Sequence, residues 1–418
     1  MATTTPEPIR LLHFADVHIG MENYGRTDPQ TGVSSRVRDF LRRLDEMVDY
    51  ASEHQADLVI FAGDAFKSQS PNPTFQREFA FRVQDLARLC PVVLLVGNHD
   101  LPAVEARASS IEIYDTLQVP NTILGREYAA RTVETRRGPL LVATAPYPTR
   151  HHLLRDIPIP PTKTIAAIDD LVAEQLHLRL AALTEAAAAA GDMPRVLTGH
   201  FTVGGATFGS ERSVMLGRDV MVLLSALDDP AWDYVALGHI HRHQCLTLGR
   251  TNAPPVVYSG SLERIDFGEE DDHKGFVWVE LARGATAWKF VPVSARPFVT
   301  LRVDVRGSGD PTRAVLDAIK RGDLDEAVVR VQITADAEAE PRLLDSEIFQ
   351  ALKDAGANHV AVIQRHVERP ARLRLGISPE GLTPQELLER YLMLKEIGPE
   401  RREALLERAS ALFAGPAE

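Results

Sequence analysis

Pro91-Val92-Val93-Leu94-Leu95-Val96, followed at once by Gly97-Asn98-His99-Asp100, decides how this chain is read. The apolar run is rich in β-branched residues and too short to cross a membrane, so it predicts a strand buried on both faces. It stops on a glycine and three polar side chains able to hold metal or move protons. In open α/β sheets ligands sit beyond the carboxyl ends of the strands, where this pattern puts its polar groups.

The arrangement recurs to either side. Ile9 to Ala15 is an apolar strand delivering Asp16-Val17-His18, and at a strand end alternate side chains point the same way. Asp57 to Ala62 delivers Gly63-Asp64. Helical periodicity over 36–54 and 74–89 separates these strands, giving the alternation of an α/β fold with parallel pairing. Residues 101–133 carry a weak signal, Leu140 to Ala145 is a further strand, and Tyr147 to Lys163, with five prolines in and beside it, reads as a rigid connector. An alanine-rich helix over 165–190 follows. Arg195 to Thr198 then delivers Gly199-His200, and Tyr234 to Leu237 delivers Gly238-His239-Ile240-His241. Further strands are expected at 256–261, 275–281 and 289–293. His13, inside the first strand, is expected to be a packed core histidine, and His151, His152, His243 and His273 are expected at the surface.

At 418 residues the chain is expected to form two or three domains. Its net charge of −12 argues against coating nucleic acid by bulk electrostatics, although a local basic groove is compatible with it. Cys90 and Cys245 have no Cys-x-x-Cys spacing, so neither a disulfide framework nor a thiolate zinc site is expected. Met1 to Pro8 lacks an apolar signal-peptide core and no long apolar run follows. A reducing cytoplasm is the expected location, with no membrane span.

Composition changes at Arg296-Pro297. Strands at 298–305, 327–334 and 358–364 with intervening helices predict a small βαβαβ domain, and Gly376 to Gly381 reads as a hinge. Two amphipathic helices, 384–396 and 399–413, form the tail, the first opened by a Thr383/Glu386 capping box. Leu387, Leu388, Tyr391, Leu394, Leu405, Leu406, Ala409, Leu412 and Phe413 make apolar stripes that two helices cannot bury against each other. Either a partner or the neighbouring small domain must cover them.

A lone Gly-Asp or a lone histidine carries little information. The ordered series Asp16/His18, Gly63-Asp64, Gly97-Asn98-His99-Asp100, Gly199-His200 and Gly238-His239/His241 resembles the signature of the calcineurin-like metallophosphoesterase superfamily, D-x-H, G-D, G-N-H-[DE], G-H, G-H-x-H. That resemblance implies a β-sandwich flanked by helices. The local periodicity alone does not separate such a sandwich from a single doubly wound sheet. It also implies two divalent cations, with manganese preferred, clamping the attacking and leaving oxygens of a phosphoryl transfer. Asp64 would bridge them, Asp16, His18 and His241 would complete one site, and Asn98, His200 and His239 the other. His99 would meet the scissile phosphate, with Asp100 steadying it from behind.

Tyr258-Ser259-Gly260-Ser261-Leu262-Glu263-Arg264, continuing through Phe267 and Glu269 to Lys274-Gly275-Phe276, resembles a block of the SbcD-type DNA repair nucleases. This implies phosphate contacts from Ser261 and Arg264, or alternatively an Arg264 paired with a nearby acid. It further implies a homodimeric exo/endonuclease on DNA in double-strand break repair, partnered by an SbcC-type, SMC-like ATPase. The domains would then be a nuclease domain at 1–295, a DNA-capping α+β domain at 296–376 and a helical ATPase-docking tail at 377–418. Lys67 stands where many such enzymes carry an acid or histidine, which bears on how strand ends are handled. A phosphodiesterase or phosphatase for a small ester is the alternative, and a DNA-end clamp with little catalysis a third.

Overall fold

The structure, a computed structural model, describes residues 7–102, 107–160, 162–209, 220–368 and 382–413. The predicted hinge at 376–381 and the side chains of Leu412 and Phe413 lie outside the described residues.

From the amino end the chain runs β1 (Ile9–Phe14), α1 (Ser35–Glu53), β2 (Leu58–Phe61), α2 (Pro73–Leu89), β3 (Val92–Leu95), α3 (Ile113–Thr116) and β4 (Thr122–Gly125). Ser34 caps α1 by accepting from the Arg36 N–H, and Asn72 caps α2 ahead of Pro73 in the first turn. The four strands lie parallel and side by side, with Phe14 opposite Phe61 and Val59 opposite Val92. Next come β5 (Ala129–Thr135), β6 (Gly138–Ala145), α4 (Arg150–Leu154), α5 (Ile165–Ala188), β7 (Arg195–His200), β8 (Thr202–Val203), β9 (Met221–Val222), β10 (Tyr234–Gly238), β11 (Gln244–Cys245), β12 (Val256–Tyr258), β13 (Gly275–Leu281) and β14 (Ala287–Pro292).

These strands build two six-stranded sheets, ordered β14-β13-β1-β2-β3-β4 and β11-β12-β10-β7-β6-β5. Strand periodicity explains how they stack. Leu11, Ile60 and Val93 face Val142, Val196 and Ala236 between the sheets, while the alternate residues Leu12, Phe14, Val59 and Phe61 face outward onto α1 and α2. On the other side Ala143, Leu197 and Val235 pack with Leu176 and Leu180 of α5. Helix, sheet, sheet, helix is therefore the order of layers, and the choice between sandwich and single sheet falls to the sandwich. Each fully buried leucine or phenylalanine in them contributes about 1.5–3 kcal/mol.

His13 is buried as expected and spans the two sheets: its ring nitrogens lie 3.0 Å from the Tyr234 hydroxyl and 3.2 Å from the Leu237 carbonyl. The proline-rich connector differs from expectation in containing α4, because Thr149 caps it by accepting from the His152 N–H at 3.1 Å. His243 is not a surface residue: its ring stacks on Phe290 at 4.2 Å and meets the Tyr258 carbonyl at 2.8 Å.

Beyond the sandwich, β15 (Phe298–Asp304), β16 (Val328–Asp336) and β17 (His359–Glu368) form a three-stranded sheet in that order, accompanied by α6 (Pro311–Arg321) and α7 (Asp345–Asp354). The chain divides into two compact units, 1–301 with 322–330 and 349–362, and 302–321 with 331–348 and 363–418. In the second unit α8 (Pro384–Leu394) starts at the expected Thr383/Glu386 capping box and lies beside α9 (Pro399–Phe413), with Gln385 Nε2 donating to Ser410 Oγ at 3.0 Å. Leu392, outside the predicted stripes, is the buried residue of α8, whereas Tyr391, Leu394 and Leu405 are exposed and Leu387, Leu388, Leu406 and Ala409 half-buried.

Candidate metal centre

Central parallel strands of both sheets end at one place. From the first sheet come Asp16 and His18 after β1, Asp64 after β2, and Asn98 after β3; from the second come His200 at the end of β7 and His239 and His241 after β10. The loops after β1 and β2 continue side by side, with Asp16 N–H donating to the Gly63 carbonyl at 3.0 Å and Val17 N–H to the Asp64 carbonyl at 2.9 Å. Asp16, His18, Asp64 and His239 all have positive φ, of 53°, 49°, 64° and 94°. Non-glycine residues seldom adopt that region, and such strain concentrates at functional sites. The glycines make room. A Cβ on Gly63 would sit 2.4 Å from His200 Nδ1, and one on Gly97 would sit 2.2 Å from Asp64 Oδ1.

The ligand atoms converge. His18 Nε2 and His241 Nε2 lie 3.0 Å apart, and His18 Nε2 is 4.0 Å from Asp16 Oδ1. Asp64 Oδ2 is 3.8 Å from His18 Nε2 and 3.4 Å from His200 Nε2, so imidazoles from both sheets approach a single carboxylate oxygen. Asn98 Oδ1 lies 3.0 Å from both His200 Nε2 and His239 Nδ1. Asp16, His18 and His241 form one group able to hold a cation, and Asp16, Asp64 and His200 another. His99, which sequence reasoning kept off the metal, also falls in such a group with His18 and Asp64. Its ring lies edge-on to His18 at 4.8 Å.

Groups behind the ligands set their protonation. His200 Nδ1 donates to the Ala62 carbonyl at 2.6 Å and His241 Nδ1 donates to Glu269 Oε1 at 2.9 Å, so in each ring Nε2 is the nitrogen that faces the centre. Burial lowers the His200 imidazole, but Asp64 outweighs it and raises the group to about 9, so a cation bound there would have to displace the Nε2 proton. Burial, with the neighbouring His241, pushes the His18 imidazole well below its ordinary value and keeps it neutral. Burial raises the Asp64 carboxyl, but His200 and His18 outweigh it and hold the group far below the usual carboxylate range. Neutral imidazole nitrogens and an ionised carboxylate are what divalent cations bind, so the residues fit the metals that the resemblance implies.

Glu269 is part of the block quoted from the sequence, but its place behind His241 is not legible there. It is fully buried, takes the His241 N–H on one oxygen and Lys274 Nζ on the other at 2.8 Å. Lys274 is buried too, and also donates to the His241 carbonyl at 3.2 Å and to Ser261 Oγ at 2.9 Å. Burial raises the Glu269 carboxyl, but Lys274 and His241 overcome it and keep it ionised. The Phe-x-Glu and Lys-Gly-Phe stretches at 267–269 and 274–276 were the available signal.

Three sequence assignments change. Asp100 does not steady the His99 ring: its carboxylate accepts from the backbone N–H groups of Asp64 at 2.9 Å, Ala65 at 3.0 Å and Gly97 at 3.0 Å, clamping the loops after β2 and β3 together. The His99 ring is held by the Lys67 carbonyl, 2.8 Å from Nδ1, while the Lys67 side chain is exposed. Ser261 is buried, its N–H donating to the His241 carbonyl at 3.0 Å and its hydroxyl to the Glu263 carbonyl at 3.1 Å, which leaves nothing for a phosphate. Arg264 commits its guanidinium to the carbonyls of Glu269, Asp272, Ala295 and Arg296, at 2.8–3.4 Å, in place of either a phosphate or an acid partner.

The fold and this cluster define a metallophosphoesterase, and the chain belongs to the calcineurin-like phosphoesterase family, whose profile matches residues 9–243. It is 30% identical over 327 residues to the SbcD component of the SbcCD nuclease of Rhodobacter capsulatus, covering 75% of this chain and 76% of that one. To the SbcD component of the Escherichia coli SbcCD nuclease it is 27% identical over 428 residues, covering 95% of this chain and 96% of that one. Within the family, this chain is of the SbcD type. A dimetal phosphatase from Danio rerio is similar at 13% identity and a TM-score of 0.40, over 68% of this chain and 96% of that one, too remote to bear on function. No helix among the described residues is long and apolar enough to cross a membrane.

Proposed function

We propose that this chain is the nuclease subunit of a DNA double-strand break repair complex, cutting phosphodiester bonds at ends, hairpins or single-stranded regions together with an SbcC-type ATPase. The supporting observation is Asp64 Oδ2, approached at 3.8 Å by His18 from one side and at 3.4 Å by His200 from the other. Asp64 would bridge two cations, manganese by preference, with Asp16, His18 and His241 on one and Asn98, His200 and His239 on the other. Bound there, divalent cations supply Lewis acidity to the attacking and leaving oxygens of the phosphoryl group.

His99 is the proposed acid for the leaving oxygen. Because Nδ1 meets the Lys67 carbonyl, only Nε2 can serve, and the ring must be an imidazolium to donate from it. A water oxygen would form the new bond to phosphorus and release a proton to solvent, while the phosphorus–oxygen bond to the leaving strand breaks and that oxygen takes the proton from His99 Nε2. Residues 296–376 are proposed to cap DNA and 377–418 to dock the ATPase through the exposed Tyr391, Leu394 and Leu405. The working form is proposed as a cytoplasmic homodimer.

A paired assay tests this reading: the purified chain, alone and with the ATPase, on end-labelled duplex DNA and on bis(p-nitrophenyl) phosphate with manganese, and His99→Ala as control. DNA cleavage abolished by His99→Ala is expected. Turnover of the small ester with no DNA cleavage under any condition would favour a small-substrate phosphodiesterase. In the same assay Lys67→Ala is expected to shift end processing more than metal content.

A further inference from the structure

A cleft of about 710 Å³ opens beside the metal centre, sharing Asn98 with it. Its walls include Arg107 and Glu112 after β3, and Tyr147 and Arg155 after β6. The acids in it are taken. Glu112 pairs with Arg126 at 2.7 Å and accepts from the Ser109 N–H at 3.2 Å, and Glu127 pairs with His152 at 2.7 Å. The Arg107 and Arg155 side chains are exposed and make no hydrogen bond or ion pair with any described residue. Tyr147, half-buried at the inner end, puts its ring 5.6 Å from that of His239 and 6.3 Å from that of His200.

We propose that this cleft is the path of a single DNA strand leaving the metal centre, with Arg107 and Arg155 on successive phosphates and Tyr147 against the first base or sugar. The chemistry is that of a strand. Uncommitted guanidiniums bind phosphate oxygens, and an aromatic ring accepts any base by stacking. The volume is that of a site for a drug-sized ligand, which corresponds to one or two nucleotides and is too small for a duplex. The chain's net charge of −12 makes general attraction of polyanions weak, so a local pair of unpaired cations carries more of the binding.

This inference rests on the nuclease reading, and the experiment separates the two. Full-length wild type and an Arg107→Ala/Arg155→Ala variant are compared for binding of a fluorescent single-stranded oligonucleotide across a salt series, for cleavage of it, and for hydrolysis of bis(p-nitrophenyl) phosphate. The variant is expected to bind the oligonucleotide at least tenfold more weakly, with a log K against log salt slope shallower by about 1.4, since each phosphate contact on a single strand contributes about 0.7. Small-ester turnover is expected to be unchanged, because neither arginine touches the metal cluster. Unchanged oligonucleotide affinity and slope, with wild-type DNA cleavage intact, would overturn the strand path and leave the nuclease reading standing. A wild type that hydrolyses the small ester and neither binds nor cuts oligonucleotide would overturn both.

Discussion

The two sheets contribute to the metal centre in different ways. The first offers the proposed oxygen ligands, Asp16, Asp64 and Asn98, from three adjacent strand ends, with His18 as its one proposed nitrogen ligand. The second supplies nitrogen alone, from His200, His239 and His241. Their supports differ accordingly. Backbone holds the oxygen side, through the positive-φ residues Asp16, His18 and Asp64, a conformation His239 shares on the other side, and through the Asp100 clamp on three N–H groups. On the imidazole side, acceptors on Nδ1 do the holding, the Ala62 carbonyl for His200 and the Glu269 carboxylate for His241. Chemistry requires the difference: an ionised carboxylate always has lone pairs and needs only a place, whereas a neutral imidazole must also have its tautomer chosen.

The largest effects are expected where the two sides meet. Asp64→Asn removes the carboxylate that both sides approach, so it is expected to lose both cations and at least about 10³-fold in turnover of a small phosphodiester, roughly 4 kcal/mol. His241→Ala is expected to lose one cation and keep the other. Metal content by atomic emission reads the contrast; equal loss in the two variants would break the assignment of Asp64 as the shared ligand.

Support on the imidazole side comes next. Glu269→Gln removes the charged acceptor from His241 and is expected to weaken cation affinity about 10- to 100-fold, measured by calorimetry. Lys274→Met leaves the carboxylate on His241 and is expected to lose far less affinity. If Lys274→Met were as weak as Glu269→Gln, the buried ion pair itself, not the choice of tautomer, would be what the metal depends on. On the oxygen side Asp100→Asn is expected to act on stability instead: losing an acceptor orphans a buried N–H, at about 1–3 kcal/mol for each one, read by urea unfolding of the metal-free protein. An Asp100→Asn variant of normal stability but without turnover would restore Asp100 to His99.

This contrast explains what the sequence could reveal. Every proposed ligand lies within a few residues of a strand end, so each motif is contiguous and legible from Asp16 to His241. The supports are not contiguous. Asp100 reaches Asp64 and Ala65 across 36 and 35 positions, and Glu269 reaches His241 across 28, distances over which no periodicity carries information. The sandwich was hidden for the same reason: alternating strands and helices predict β1, β2 and β3, but that β6, β7 and β10 leave for a second sheet is decided by long-range pairing. Ser261 and Arg264 looked like phosphate contacts because a glycine-serine turn and an arginine suggest a surface, but the fold buries Ser261 and ties the half-buried Arg264 guanidinium to backbone carbonyls.

The comparison extends to the helices outside each sheet, where the smallest effect is expected. On the second sheet α5 packs through an apolar stripe of Val172, Leu176, Leu180 and Leu183. On the first, α1 adds buried charge. Arg36 Nη1 meets Asp39 Oδ2 at 2.8 Å, and Arg296 reaches both Asp39 oxygens at 2.6 and 2.7 Å. Burial raises the Asp39 carboxyl, but Arg296 and Arg36 overcome it and hold it below its ordinary value. A carboxyl lowered by folding stabilises fully above its unfolded pKa of about 3.9 and loses that contribution as pH falls through the lower folded value. The urea-unfolding gap between wild type and Asp39→Asn is therefore expected to be constant from pH 7 to about 5, to narrow below about pH 4, and then to vanish. Leu176→Ala, which removes apolar contact alone, is expected to show a gap that does not narrow over the same range. If the Asp39→Asn gap persisted unchanged into acid, packing and not charge would hold α1 to its sheet, and the two helix layers would be alike.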